Sequence, residues 1–427
     1  MAIGLDFGTT NSSIAVATGK GEVHVARFVA RGGATESFRS LLYLERLREA
    51  SRTTIKSWAG PEGIAHYLQA EDKGRLIQSL KSFLASRSLQ STEIFGRRFQ
   101  LEELVANVLR DVRLKAEELF GSAMRTAVVG RPVRFVSAES TDDDDFAVNR
   151  LTRALTMAGF EEVDFEFEPV AAAYYYESTL DHDELILIGD FGGGTSDFSL
   201  LHVGPGIRRR AGNRVVLGNG GLALAGDAFD AKIIRHLVSP ALGTGTLLDS
   251  GGKLLPVPTW VYFKLERWHH LSFLRSAETL NMLQSVAAQA LEPEKLNALL
   301  YLVKHDLGYH LHGAVQRAKI ALSHAEKSRF EFCDGDLELQ ADVSRTAFED
   351  WISEELFAIE ERVDSLLSEC GIRAPDVDRV FLTGGSSLVP AVRRIFEARF
   401  GAEKIRTGDE FTSVARGLAL RSLDKLK

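Results

Sequence analysis

Asp6-Phe7-Gly8-Thr9-Thr10 and Asp190-Phe191-Gly192-Gly193-Gly194-Thr195 are the same device, set 184 residues apart. Each closes a short apolar run, Ile3 to Asp6 in one case and Leu185 to Ile188 in the other. Each leads into a second apolar run, Ser13 to Ala17 or Phe198 to Val203, so both read as strand, glycine turn and returning strand. Glycine lets backbone N–H groups approach an anion closely. Thr9, Thr10 and Thr195 add hydroxyl donors. Two such loops facing each other would grip a polyphosphate from both sides. Asp6 and Asp190, at the strand ends, would supply carboxylates for magnesium held through its waters, because that ion dehydrates reluctantly. One loop alone would be a plain hairpin turn; a matched pair, each preceded by Asp, points to phosphate binding. The spacing implies two related halves.

Working outward, Leu101, Leu104, Val105, Val108, Leu109 and Val112 share one helical face. Ala127-Val128-Val129 predicts a strand ended by Gly130-Arg131-Pro132. Residues 146–158 read as a helix stopped by Gly159. Val163, Phe165 and Phe167 alternate like a half-buried strand, and Glu168-Pro169 opens a helix with proline in its first turn. Residues 240–300, with Pro256, Pro258, Trp260 and Trp268, read as an irregular insertion. Phe348, Ile352, Leu356, Ile359, Val363 and Leu366 predict one long helix. Val380-Phe381-Leu382 is a last buried strand, followed by Gly384-Gly385-Ser386 and a helix from about Pro390 to Phe400. That turn is either a tight strand-to-helix link or a bare backbone on which a base and ribose can lie. Ser413 to Leu423 is helical in pattern.

Composition narrows the classes. The 427 residues are 45% hydrophobic and 26% charged, an ordinary globular mixture. A net charge of -8, with Lys and Arg scattered, argues against nucleic acid as a main partner. Asp142 to Asp145 reads as a solvated turn or helix start. Cys333 and Cys370 lack metal-ligand spacing and fit a reducing cytoplasm, buried or inert. No apolar run reaches membrane-span length, and Met1 to Asp6 is no signal peptide, so no membrane is expected and the location expected is cytoplasmic. His269-His270, His310 and His312 read as polar surface. Trp260, Trp268 and Phe263 are expected to pack in a core, the other reading being a partner contact.

Ile3-Gly4-Leu5-Asp6-Phe7-Gly8-Thr9-Thr10-Asn11-Ser12 closely resembles the first phosphate loop of the heat shock protein 70 family. Asp190 to Asp197 resembles its second, and Val380 to Pro390 its adenosine signature. The three in this order occur across the actin, sugar-kinase and heat-shock superfamily. Glu168-Pro169-Val170-Ala171-Ala172-Ala173-Tyr174 and Ala318-Lys319-Ile320-Ala321-Leu322-Ser323 carry the narrower resemblance. It runs from residue 1 to about 423 and is weak at 20–75 and 235–310; the Pro256, Pro258 and Trp260 insertion resembles the short YegD-like branch.

The resemblance implies an α/β chain with the two-lobed actin-like (ribonuclease H-like) ATPase fold and a nucleotide cleft between lobes. Lobe I would span 1–182 with an inserted subdomain at about 35–115, and lobe II 183–411 with one at about 228–325. Residues 412–427 would form a helix packing back towards lobe I. The implied cofactors are ATP or ADP and Mg2+, with slow hydrolysis serving an unknown protein partner or co-chaperone. Lys81 matches the lysine that orients the attacking water; Asp6, Glu168 and Asp190 match the carboxylates around the magnesium waters; Asp197 matches a proton acceptor and Thr195 a phosphate contact. Gly8 to Asn11 and Gly192 to Thr195 match the phosphate loops. Gly226, Asp227, Gln316, Lys319, Ser323, Gly384, Gly385 and Ser386 match nucleotide contacts, with Lys319 and Ser323 holding ribose and adenine.

Three departures bear on function. Gln316 replaces a ribose-binding glutamate, Ala225-Gly226-Asp227 stands for Gly-Gly-Glu, and Gly130-Arg131-Pro132 replaces a Thr-Val-Pro stretch that couples the lobes. The peptide-clamp domain of full-length relatives is expected to be absent. Rival readings are a small-molecule kinase, which a sugar would stimulate, an actin-like scaffold, which would form filaments, and a nucleotide-sensing adaptor that scarcely hydrolyses ATP.

Overall fold

The computed structural model describes residues 2–30, 33–49, 52–70, 74–177, 180–207, 215–267, 274–407 and 413–425. They form two compact units: Met1–Gly226 with Ala358–Leu388 and Val392–Lys427, and Asp227–Phe357 with Val389–Ala391.

The larger unit holds two sheets with one plan. In the first, Glu162–Phe167, Thr126–Arg131 and Ala2–Phe7 run parallel, then Asn11–Ala17 and Val23–Val25 pair antiparallel. In the second, Ile405–Thr407, Arg379–Thr383 and Glu184–Phe191 run parallel, then Ser196–Val203 and Val215–Leu222 pair antiparallel. The sequence repeat is therefore a repeat of topology. Asp6 lies opposite Ser13 in one hairpin, and Asp190 opposite Asp197 in the other.

Apolar alternation decides which faces are covered. Leu5, Phe7, Ile14 and Val129 join the buried faces of the helices Leu101–Phe120 and Thr141–Ala158 in one core. A second core joins Val128, the helix Glu168–Glu177, Ile186, Ile188 and Phe381 to Val414 and Leu418 of the helix Ser413–Lys425. That last helix lies close against the strand Ala2–Phe7. A Cβ on Gly4 would stand 2.2 Å from Ala419 N, and one on Gly417 would overlap the Ala171 carbonyl oxygen. Small residues are required because backbones touch there.

Several local expectations change. The strand Thr126–Arg131 continues through Gly130 and Arg131 and stops only at Pro132, which has no N–H for the ladder. The helix ending at Gly159 starts earlier, at Thr141, capped by Ser140, with Asp142, Asp143 and Asp144 in its first turn, where acids suit the helix dipole. Asp144 is buried and accepts from Phe135 N at 2.8 Å. The long helix expected over 348–366 is two, Arg345–Trp351 and Ser353–Glu369, broken at Ile352.

The smaller unit corrects the reading of 240–300. It contains a hairpin of Leu247–Ser250 and Lys253–Pro256, turned by Gly251 and Gly252 at positive φ. Helices Trp260–Glu266, Ala277–Gln289 and Pro293–Lys304 follow. Pro293 opens a helix and does not disrupt one, and Ser276 caps another. Trp260 and Phe263, expected in a core, are 40% and 57% exposed; Trp268 and His269-His270 lie outside the described residues. His312, expected at the surface, is buried with Nε2 3.2 Å from Leu265 O, and burial pushes its pKa down to about 4. Cys333 is exposed and Cys370 half-buried. Among the described residues no helix is long and apolar enough to cross a membrane.

Candidate functional site

The two glycine loops lie in the larger unit. Gly8 is needed where it stands: a Cβ there would meet Asn11 O at 2.1 Å. Gly192 N donates to Thr195 O at 2.9 Å, closing the second loop, and receives Gly226 N on its own carbonyl at 3.3 Å. A Cβ on Gly194 would stand 3.3 Å from Thr9 Oγ1, so the loops approach each other across the space that glycine leaves open. Thr10 Oγ1 is buried without a hydrogen-bond partner, and Asn11 Oδ1 accepts from Arg39 at 3.3 Å. Gly384 turns at φ +84 directly over Phe191, where a Cβ would meet the Phe191 oxygen at 2.1 Å. Ser386 Oγ reaches Gly192 O at 3.4 Å, so the Gly384-Gly385-Ser386 turn adjoins the second loop.

Between them sits a charge cluster. Lys81, a surface lysine on sequence grounds alone, is buried, and its Nζ is 2.5 Å from Glu168 Oε1. It is carried by the 3-10 turn Leu80–Phe83, and Glu168 is the first residue of its helix. Burial acts to lower the Lys81 pKa, but the charges of Glu168, Asp6 and Asp197 outweigh it and leave it raised. Asp6 and Asp190 keep some exposed surface, yet lie deep enough that desolvation, then Glu168, raises both carboxyls well above the ordinary range. Asp197 is raised to about 7, by desolvation first and Glu168 second. Its Oδ1 accepts from Val133 N at 2.8 Å and Arg134 N at 3.4 Å, and a hydrogen bond from the Thr195 side chain works against the rise.

Four carboxylates around one ammonium leave negative charge uncompensated; burial raises the pKa values of Asp6, Asp190 and Asp197 first, and the Glu168 charge adds to it. Buried carboxyls with so little positive charge beside them suit a divalent cation. Among the described residues no group of three or more His, Cys, Asp or Glu could hold a metal ion directly. A hydrated ion, ligated through its waters, is the form that carboxylates at longer range accommodate.

The remaining candidates lie in the smaller unit. Gln316, Lys319 and Ser323 follow one face of the helix Gly308–His324. Lys319 Nζ pairs at 2.7 Å with the buried Asp230, a residue the sequence did not single out, and Ser323 Oγ donates to Lys319 O at 3.3 Å. Asp227 begins this unit. At the Gly130-Arg131-Pro132 departure, the Arg131 guanidinium stacks over Phe167 at 4.8 Å, one residue before Glu168.

Paired sheets with facing glycine loops and a buried lysine–carboxylate cluster define an ATP-binding protein of the two-lobed actin-like class. A family model described as Hsp70 protein matches residues 70–246 and 304–423, most of the chain. The chain belongs to the heat shock protein 70 family, whose members bind ATP and ADP, typically with magnesium, in chaperone-like functions.

Proposed function

We propose that the chain binds magnesium-ATP and ADP, hydrolyses ATP slowly, and uses the nucleotide state to regulate a protein partner. The observation that carries this reading is the buried Lys81–Glu168 pair beside Asp6, Asp190 and Asp197, at the mouth of two facing glycine loops. Gly8 to Asn11 and Gly192 to Thr195 cradle the phosphates, and Asp6, Glu168 and Asp190 hold the ion's waters. Magnesium, when bound, neutralises phosphate charge and polarises the phosphoryl oxygens. Lys81 orients a water for in-line attack on the γ-phosphorus. The bond from that phosphorus to the β–γ bridging oxygen breaks, ADP keeps the electron pair, and Asp197 takes the water's proton. A carboxylate with a pKa of about 7 is suited to that proton. Gly384 to Ser386, next to the second loop in the larger unit, bed the base. Trp260 and Phe263, exposed on one short helix, offer a partner an apolar grip.

The test is single-turnover phosphate release from ATP, with and without added sugars, for the parent and Lys81→Ala. Water orientation acts in the transition state, so the variant should keep nucleotide affinity and lose about 10²–10³-fold in rate. Release at the parent rate would remove Lys81 from the chemistry. Strong stimulation by one sugar would mark a kinase instead.

A further inference from the structure

Ser82, beside Lys81, belongs to none of the motifs read from the sequence, and its placement is unusual. Ser79 enters the turn at φ 52, a left-handed conformation that a non-glycine residue rarely adopts, and is fully buried. Ser82 N donates to Ser79 O at 3.0 Å, which fixes the turn. Strain of this kind persists only where the surroundings enforce it, and it collects at functional sites. Ser82 itself is 6% exposed, and its hydroxyl has no hydrogen-bond partner among the described residues.

What the hydroxyl faces is decided by Gly194. An atom built where Gly194 lacks its Cβ would lie 3.3 Å from Thr9 Oγ1, 3.6 Å from Ser82 Oγ and 3.0 Å from Val136 Cγ2. Three separate segments thus border one gap: the first glycine loop through Thr9, the second through Gly194, and the lysine turn through Ser82. Thr9 and Ser82 present hydroxyls to it from different elements. A hydroxyl with no protein acceptor, bordering the space between the two glycine loops, is free to donate to a polar ligand there. Lys81, the residue before Ser82 in the same turn, pairs with Glu168.

We propose that the Ser82 hydroxyl donates a hydrogen bond to an oxygen of the terminal phosphoryl group of a nucleoside triphosphate, making it the residue that distinguishes ATP from ADP. The assignment rests on the nucleotide reading above, and deepens it by naming the group that senses the third phosphate. ADP leaves Ser82 unpartnered, whereas ATP satisfies it. The preference for the triphosphate is then a property of this one side chain as well as of the loops.

The experiment is calorimetric titration of the intact chain with magnesium-ADP and with a magnesium complex of a non-hydrolysable ATP analogue. Parent, Ser82→Ala and Ser82→Thr are compared, each with its nucleotide-free melting temperature. In Ser82→Ala the analogue should bind about tenfold more weakly, the loss expected for one hydrogen bond to a charged group, with ADP affinity and melting temperature unchanged. Ser82→Thr, which keeps the hydroxyl, should keep the preference for the analogue. Equal weakening of both nucleotides, or of neither, in Ser82→Ala would overturn the assignment. A parent that binds neither nucleotide would instead defeat the underlying nucleotide reading, and the Ser82 proposal with it.

Discussion

The two sheets of the larger unit share strand order and direction, yet the strand beside each aspartate strand ends differently. Beside Glu184–Phe191, Arg379–Thr383 runs into Gly384, whose positive φ and missing Cβ leave bare backbone over Phe191. Beside Ala2–Phe7, Thr126–Arg131 runs into Pro132, and the next two backbone N–H groups hold Asp197 of the other sheet's hairpin. The same topological position serves as a flat bed in one half and as a clamp on an acid in the other. The returning strands differ too: Ser13 stands opposite Asp6, but Asp197 stands opposite Asp190. In the function proposed above, the paired loops supply a symmetric phosphate grip and the asymmetric residues supply the chemistry.

The sharpest way to break that comparison is to remove the asymmetric acid. Asp197→Asn keeps the shape and the backbone hydrogen bonds but cannot accept a proton, so ATP hydrolysis should fall about 10²–10⁴-fold. Parent hydrolysis should rise with pH through about 7, as Asp197 ionises, and then level off. Phosphate release across a pH series checks both; a flat parent profile would take the proton from Asp197.

Next in size is the contrast between the two turns. Gly384→Ala forces an L side chain into φ +84 against a carbonyl oxygen and should cost about 2–3 kcal/mol. Gly130→Ala meets only side-chain carbons, Glu168 Cγ and Leu418 Cδ1, each at 3.2 Å, and should cost about 1 kcal/mol. Urea denaturation midpoints at constant slope measure both. The reverse order would contradict the bed-and-clamp distinction.

A further effect is on the nucleotide-free protein. The Asp197 pKa is raised from 3.8 to about 7 by folding, so the folded state binds that proton more tightly than the unfolded chain. The linked stability is fully present below the ordinary carboxylate range and is lost as pH rises to about 7. Asp6 and Asp190 are pushed the same way. Melting temperature in chelator should therefore fall over this window in the parent and fall less in Asp197→Asn.

Much of this was legible because the loops are short and local. An aspartate, glycines and hydroxyl residues between two apolar runs carry their reading in a few residues, and their recurrence exposed the paired sheets. Lys81 was visible only through family resemblance, since a lone lysine says nothing of its burial. Ser82 and Asp230 had no signal, because what matters about them is which distant segment they face. The break at Ile352 was hidden because the spacing of Phe348, Ile352 and Ile359 continues across it, with Ser353 and two acids opening the second helix. Pro256 and Pro258 misled at 240–300: Pro256 ends the strand Lys253–Pro256, and a helix starts at Trp260, two residues after Pro258. Trp260 and Phe263 broke the rule that large apolar side chains sit inside.

The central claim is that the two loops and their carboxylates form one magnesium-dependent adenine-nucleotide site. Isothermal titration of the intact chain with ATP, ADP and GTP, with magnesium and with chelator, tests it most directly. ATP and ADP should bind with magnesium, weaken markedly without it, and outcompete GTP. The absence of binding heat and of any thermal shift with every adenine nucleotide would contradict the account.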